Sequence, residues 1–187
     1  MASGSRYRRE LLSRLGLAFE SWQPDVDEAA LAGESPRDTA VRLARSKANA
    51  AAPRWPQALI IGSDQVADLA GEAIGKPGTL DNARAQLHRL SGREVLFHTA
   101  VCLLDSASGH VQERVVTTDV AFRQLTDVEI DSYLAREPAF DCAGSAKSEG
   151  LGIALLERLG GGDPTALVGL PLIALSQMLR ASGVKVP

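Results

Sequence analysis

A layered α/β fold is predicted by three observations. The apolar run Ala58-Leu59-Ile60-Ile61 stops at Gly62-Ser63, helical segments open on cap residues between the strand runs, and two long β-rich stretches meet across a short polar turn. The run of small and β-favouring residues reads as a buried strand, and in layered α/β domains ligands collect beyond strand ends. Asp64 follows directly, an acid predicted at the exposed mouth of that strand, with the neutral amide of Gln65 beside it. An aspartate in such a place either caps a turn or faces a ligand.

The remaining elements follow in order. Residues 8–15 place Leu11, Leu12 and Leu15 at helical spacing, with Ser5 as N-cap and Gly16 as stop. Residues 17–22 read as a short strand, and 23–33 as an acidic loop holding Asp25, Asp27 and Glu28. Ser35-Pro36-Arg37-Asp38 supplies a cap, a first-turn proline and an acid at the positive end of a helix that runs to about Ala51. After Asp64, residues 66–74 read as a strand pair turning at Ala70-Gly71-Glu72, followed by the tight loop Gly75-Lys76-Pro77-Gly78. A helix over Leu80–Leu90 closes at Ser91-Gly92. Residues 94–104 and 111–122 form an antiparallel hairpin across Ser106-Ala107-Ser108-Gly109. Thr126-x-x-Glu129 is a capping box for a helix over Asp127–Arg136. Residues 141–150 are too polar and glycine-rich for a core element, 153–159 fit a strand or a helix, 160–163 turn, and 171–182 form a closing helix.

The chain of 187 residues is long enough for one sizeable core, so residues 1–187 are read as a single domain with at most two lobes. A net charge of -3 argues against a protein that coats a nucleic acid duplex through a broad basic face. Cys102 and Cys142 show no CxxC spacing, and the three histidines are scattered, so no zinc site is indicated. No apolar stretch approaches the roughly 20 residues of a membrane span, and the polar, basic start lacks the apolar middle of a signal peptide. The reading is a soluble, cytoplasmic protein without a membrane partner.

Charged residues at special positions carry the chemical argument. Arg6, Arg8 and Arg9 cluster at the start of the first helix, where free backbone N–H groups already favour an anion. Cations there are a local cost, which phosphate binding would offset; a solvated surface cluster is the alternative. Lys47 lies late on the second helix among small residues, Lys76 sits in a stiff Gly-Lys-Pro turn, and Lys147 in the glycine-rich loop. Glu28, Asp64 and Glu149 add carboxylates. Several cations with two or three carboxylates suit phosphoryl hydrolysis, in which acids hold a divalent metal or activate water and cations absorb charge. There is no Walker motif and no GxGxxG after a strand, which excludes a P-loop protein and a dinucleotide-binding Rossmann domain.

These segments, in this order, resemble the Maf family of nucleoside triphosphate pyrophosphatases: ASGSRYRRELLSRLG at 2–16, VDE at 26–28, LARSKA at 43–48, IIGSDQV at 60–66, GKPGT at 75–79, CAGSAKSEGLGI at 142–153 and GLPLIAL at 169–175. The resemblance covers nearly the whole chain. It implies a single two-lobed α/β domain of the Maf and ITPase-like kind, around a long mixed sheet flanked by helices. It also implies a homodimer in many members, a divalent cofactor (Mg²⁺ or Mn²⁺), and hydrolysis of a nucleotide substrate between the α and β phosphates. Carried over residue by residue, the catalytic proton acceptor falls on Asp64. The phosphate-handling residues fall on Arg8, Arg9, Lys47, Lys76 and Lys147, and the metal ligands on Asp64 and Glu28.

The family's specificity positions fall on Tyr7, Gln65 and Glu149. An aromatic, a glutamine and a glutamate there resemble the 7-methyl-GTP branch, whereas the dTTP and UTP branch carries arginine, threonine and glutamine. Physics favours the former, because N7-methylation makes guanine cationic and an aromatic ring attracts a cation by about 0.5–2 kcal/mol. Glu149 could accept from the N1–H and N2–H₂ of guanine; its alternative is a plain ion pair with Lys147. The rival expectations are a dTTP or UTP pyrophosphatase, and a nucleotide-binding regulator of septation with little turnover. Three departures from the family pattern are visible. Met1 directly precedes Ala2-Ser3 where an apolar strand is usual, Arg6 stands in place of a proline, and Ala146 in place of a bulky aromatic that would narrow the base pocket.

Overall fold

The computed structural model describes residues 1–186 and is built on one twisted sheet whose two faces are covered by different helices. In chain order the elements are α1 (Arg6–Ser13), α2 (Pro36–Ala51), β1 (Leu59–Leu69), β2 (Glu72–Ile74), α3 (Leu80–Leu90), β3 (Glu94–Asp105), β4 (Val111–Phe122), α4 (Asp127–Arg136), β5 (Leu156–Leu159) and α5 (Leu172–Ala181). The predicted caps are present. Ser5 accepts from the Arg8 amide, Ser35 from that of Asp38, and Thr126 and Glu129 close a reciprocal capping box.

The strands are ordered β2-β1-β3-β4-β5, and every pair is antiparallel. The parallel component of the sheet is confined to Ala2, which bridges both Trp22 and Gly62. Residues 17–22 do not form the expected strand. Their only ladder contact is Trp22, whose amide donates to the Met1 carbonyl at 3.0 Å. Met1 and Ala2 are nevertheless anchored, the Ala2 amide donating to Ile61 O at 2.8 Å. Residues 153–159 divide between the two: a 3₁₀ segment, Leu151–Leu155, runs straight into the strand β5.

Alternation along β1 and β3 divides the core. Ile60, Ala100, Cys102 and Leu104 face α2 and its small residues Ala40, Ala44, Ala48 and Ala51. On the opposite face, Ile61, Val101 and Leu103 pack on Leu11 and Leu12 of α1 and on Leu175, Met178 and Leu179 of α5. Further along the same strands, Ala67, Leu69, Val95 and Phe97 pack instead on Leu87 and Leu90 of α3 and Ile130, Tyr133 and Leu134 of α4. Two lobes of core therefore share one sheet, and they meet at Ser63, Asp64 and Gln65 in the middle of β1.

This geometry corrects the expectation for Asp64. The acid is not exposed at a strand mouth: β1 continues through it to Leu69, and only 7% of its surface is accessible. Gly62-Ser63 does not break the strand, for two reasons. A Cβ on Gly62 would lie 2.8 Å from the Ala48 amide and closer still to the Ala44 carbonyl, so glycine is what allows α2 to lie against the sheet. The buried Ser63 hydroxyl is matched by two carbonyl acceptors, Ala100 at 2.8 Å and Gly169 at 3.1 Å.

Candidate functional site

The close approach of α2 delivers Lys47 to Asp64. Gly62 and Asp64 share the sheet face that α2 covers, and Lys47 lies on the same helix stripe as Ala40, Ala44 and Ala48. The lysine is 6% exposed, and its Nζ lies 2.6 Å from Asp64 Oδ1 and 2.5 Å from Glu28 Oε1. One buried cation thus joins an acid from the sheet to an acid from the loop before α2. Among the described residues no donor reaches the second oxygen of either carboxylate.

These groups floor a cleft of about 400 Å³ between the lobes, lined also by Tyr7, Arg8, Gln65, Lys76 and Asp141. Arg8 enters from the first turn of α1, and its Nε donates to Gly169 O at 2.8 Å. Gly169 has φ 120°, so glycine is needed to turn that carbonyl toward both Arg8 and Ser63. Burial pushes the Arg8 pKa down, opposed by the charges of Asp64 and Glu28. Burial would raise the Glu28 carboxyl, yet the hydrogen bond and charge of Lys47, with Lys76 and Arg8, hold it below its ordinary value. Lys76 is exposed at the cleft wall.

Arg9 is not brought into this set. It follows Arg8 by one helical step of about 100°, which turns it away from the buried side of α1, and it is exposed and outside the cleft.

The three specificity candidates do converge. Tyr7, Gln65 and Glu149 line one recess beside the cleft, together with Phe97, Ala146 and Lys147. The Gln65 amide has a fixed orientation. Its Nε2 donates to Ala166 O at 3.0 Å and Leu167 O at 2.9 Å, and to Thr99 Oγ1 at 2.9 Å, while the Thr99 hydroxyl itself donates to Ala166 O. Backbone carbonyls can only accept, so the nitrogen must face them and the amide oxygen is left as an acceptor. Glu149 is exposed and does not pair with Lys147, whose Nζ lies 3.2 Å from Asp141 instead.

Asp141 is the residue that sequence reasoning missed. It accepts from the Tyr7 hydroxyl at 3.0 Å, pairs with Lys147, and lies 3.5 Å from Arg6. The only signal in the sequence was an acid heading the glycine-rich loop.

Chemically, the cleft sets carboxylates and cations side by side along one floor. Among the described residues no group of three or more His, Cys, Asp or Glu side chains is placed to hold a metal. Asp64 and Glu28 offer two hard carboxylate donors, which fits a divalent cation that completes its shell with water and substrate phosphate. No helix among the described residues is long and apolar enough to cross a membrane.

Comparison with known proteins points the same way. The model of the family described as Maf-like protein matches residues 1–182. A 7-methyl-GTP pyrophosphatase of Cupriavidus pinatubonensis is 60% identical over 183 residues, covering 98% of this chain and 92% of the relative. A protein of the same name from Aromatoleum aromaticum is 58% identical across 100% of this chain and 96% of its own length. Another, from Xanthomonas campestris pv. campestris, is 57% identical over 100% and 97% respectively.

Proposed function

The chain belongs to the Maf-like protein family, and from that premise we propose that it is a nucleoside triphosphate pyrophosphatase acting on 7-methyl-GTP. The observation that carries the reading is the adjacency of two unlike sites: the buried Asp64–Lys47–Glu28 group, and the recess formed by Tyr7, Gln65 and Glu149. One suits a triphosphate, and the other presents an aromatic ring and two acceptors toward a base.

In the proposed reaction, water attacks the α-phosphorus, and the bridging oxygen leaves with the β-phosphate as pyrophosphate. Asp64 receives the proton of the attacking water, and Lys47 orients that carboxylate. Arg8 and Lys76 stand beside the charge that develops on the phosphates. A divalent cation, Mg²⁺ or Mn²⁺, held by Asp64 and Glu28 would neutralise phosphate charge. At the base, the fixed amide oxygen of Gln65 and the Glu149 carboxylate are acceptors for the donor edge of guanine, and the Tyr7 ring attracts the cationic methylated ring.

The test is pyrophosphate release from a panel of 7-methyl-GTP, GTP, dTTP and UTP with Mg²⁺ or Mn²⁺. The expected order places 7-methyl-GTP first in kcat/KM. A preference for dTTP or UTP, or tight binding without release, overturns the reading.

A further inference from the structure

Tyr7 sits in a crowd of cations. The Arg6 guanidinium lies 4.7 Å from the ring centroid, and the Lys147 ammonium 5.8 Å. A methylated purine that stacks on this ring brings a third positive charge into the same space, and like charges this close repel. Some group must offset the two resident cations, or the ring would favour a neutral base over a cationic one.

Asp141 is placed to do so. One oxygen accepts from the Tyr7 hydroxyl at 3.0 Å and lies 3.5 Å from Arg6; the other lies 3.2 Å from Lys147. The carboxylate therefore touches the phenol and both cations at once, from a position 134 residues away in sequence. The negative charge offsets the cations that face the ring, one of which, Arg6, also donates to the Tyr7 oxygen at 2.7 Å and draws density from it.

We propose that Asp141 is a specificity-determining residue that tunes Tyr7 for a positively charged base by offsetting Arg6 and Lys147. It acts through Tyr7 and touches no reacting atom, so it is a positioning residue. The inference rests on the reading of the site as a 7-methyl-GTP pyrophosphatase and deepens it. A merely structural tie between α1 and the loop at 141–150 would alter all nucleotides alike. A charge-tuning role alters the cationic base selectively.

The experiment compares 7-methyl-GTP with GTP, which differ at the base by one methyl group and its charge. Asp141→Asn keeps the shape and an acceptor for the Tyr7 hydroxyl but loses the charge. It is expected to lower the ratio of kcat/KM for 7-methyl-GTP over GTP by roughly three- to tenfold, through KM with kcat nearly unchanged. Asp141→Glu should restore part of the ratio. Arg6→Gln, an exposed change that leaves the fold intact, should raise the ratio in the wild-type background and recover it in Asp141→Asn. A wild-type enzyme without preference for 7-methyl-GTP overturns both the reading and the inference. A preference that survives Asp141→Asn, or that Arg6→Gln leaves unmoved, overturns the inference alone.

Discussion

Lys47 and Asp64 meet at 2.6 Å with both side chains buried, although one comes from a helix and the other from the middle of a strand. A buried ion pair of this kind is costly to break from one side, because the remaining charge loses its partner. Lys47→Met leaves Asp64 and Glu28 facing each other without their shared cation. The expected result is a stability loss of roughly 3–5 kcal/mol in denaturant unfolding. Asp64→Asn removes the proposed proton acceptor and should lower kcat by roughly 10²–10⁴-fold. Full turnover in Asp64→Asn would remove this acid from the mechanism.

Gly62 decides whether that pair can form. Its missing side chain lets the Ala44 and Ala48 backbone of α2 rest on β1. Gly62→Ala must push the helix outward, which carries Lys47 away from Asp64 at the same time. Overpacking of this kind costs about 1–3 kcal/mol, and here a loss of kcat should accompany the drop in stability. Unfolding midpoints and kcat measured on one preparation test the coupling; a destabilised enzyme with wild-type kcat would show that α2 position and catalysis are separable.

Gln65 offers a sharper probe of the base recess than truncation does. Three acceptors surround its nitrogen, two of them the backbone carbonyls of Ala166 and Leu167. Gln65→Glu keeps the shape but turns a carboxylate oxygen onto those carbonyls. The expected cost is about 1–3 kcal/mol at neutral pH, seen as a lower Tm that recovers as the glutamate is protonated. A Tm equal to that of wild type at neutral pH would mean that the amide orientation is not fixed by these bonds.

Much of the scaffold was legible because local chemistry determines it. Ser35 with Pro36, and Thr126 with Glu129, open helices through their own backbone bonds, and the structure retains both. Asp64 was misplaced because Gly62-Ser63 has the composition of a turn. The glycine is instead a packing surface for α2, and the serine is satisfied by carbonyls far along the chain. Arg8 and Arg9 look equivalent in sequence, and only the helical step separates a cleft residue from a surface one. Asp141 stayed hidden for a related reason: its role exists only through Tyr7, Arg6 and Lys147, which no local spacing brings to it.

The loop that presents Glu28 is itself pinned, and the pin has a defined pH signature. Arg42 grips Glu34 with two hydrogen bonds, Nε to Oε1 at 2.7 Å and Nη2 to Oε2 at 2.8 Å, and the same Nη2 reaches the carbonyl of Ala29, next to Glu28. The Leu31 amide and the Thr39 hydroxyl also donate to Glu34. These donors, Arg42 foremost, hold the Glu34 carboxyl down to about 2 from 4.5. A carboxyl whose folded pKa is depressed contributes stability that is present above its unfolded value and is lost as pH falls through the folded one. Glu34→Gln should therefore lower Tm at neutral pH, and its gap to wild type should close as pH falls from 4.5 toward 2. Arg42 also reaches the carbonyl of Ala29, next to Glu28, so Glu34→Gln, by loosening Arg42, should also reduce kcat at neutral pH, where thermal loss is not yet limiting. Thermal melts across that acid range, with kcat at neutral pH, check both parts. A Tm gap that stays constant with pH would assign the effect to packing rather than to the ion pair.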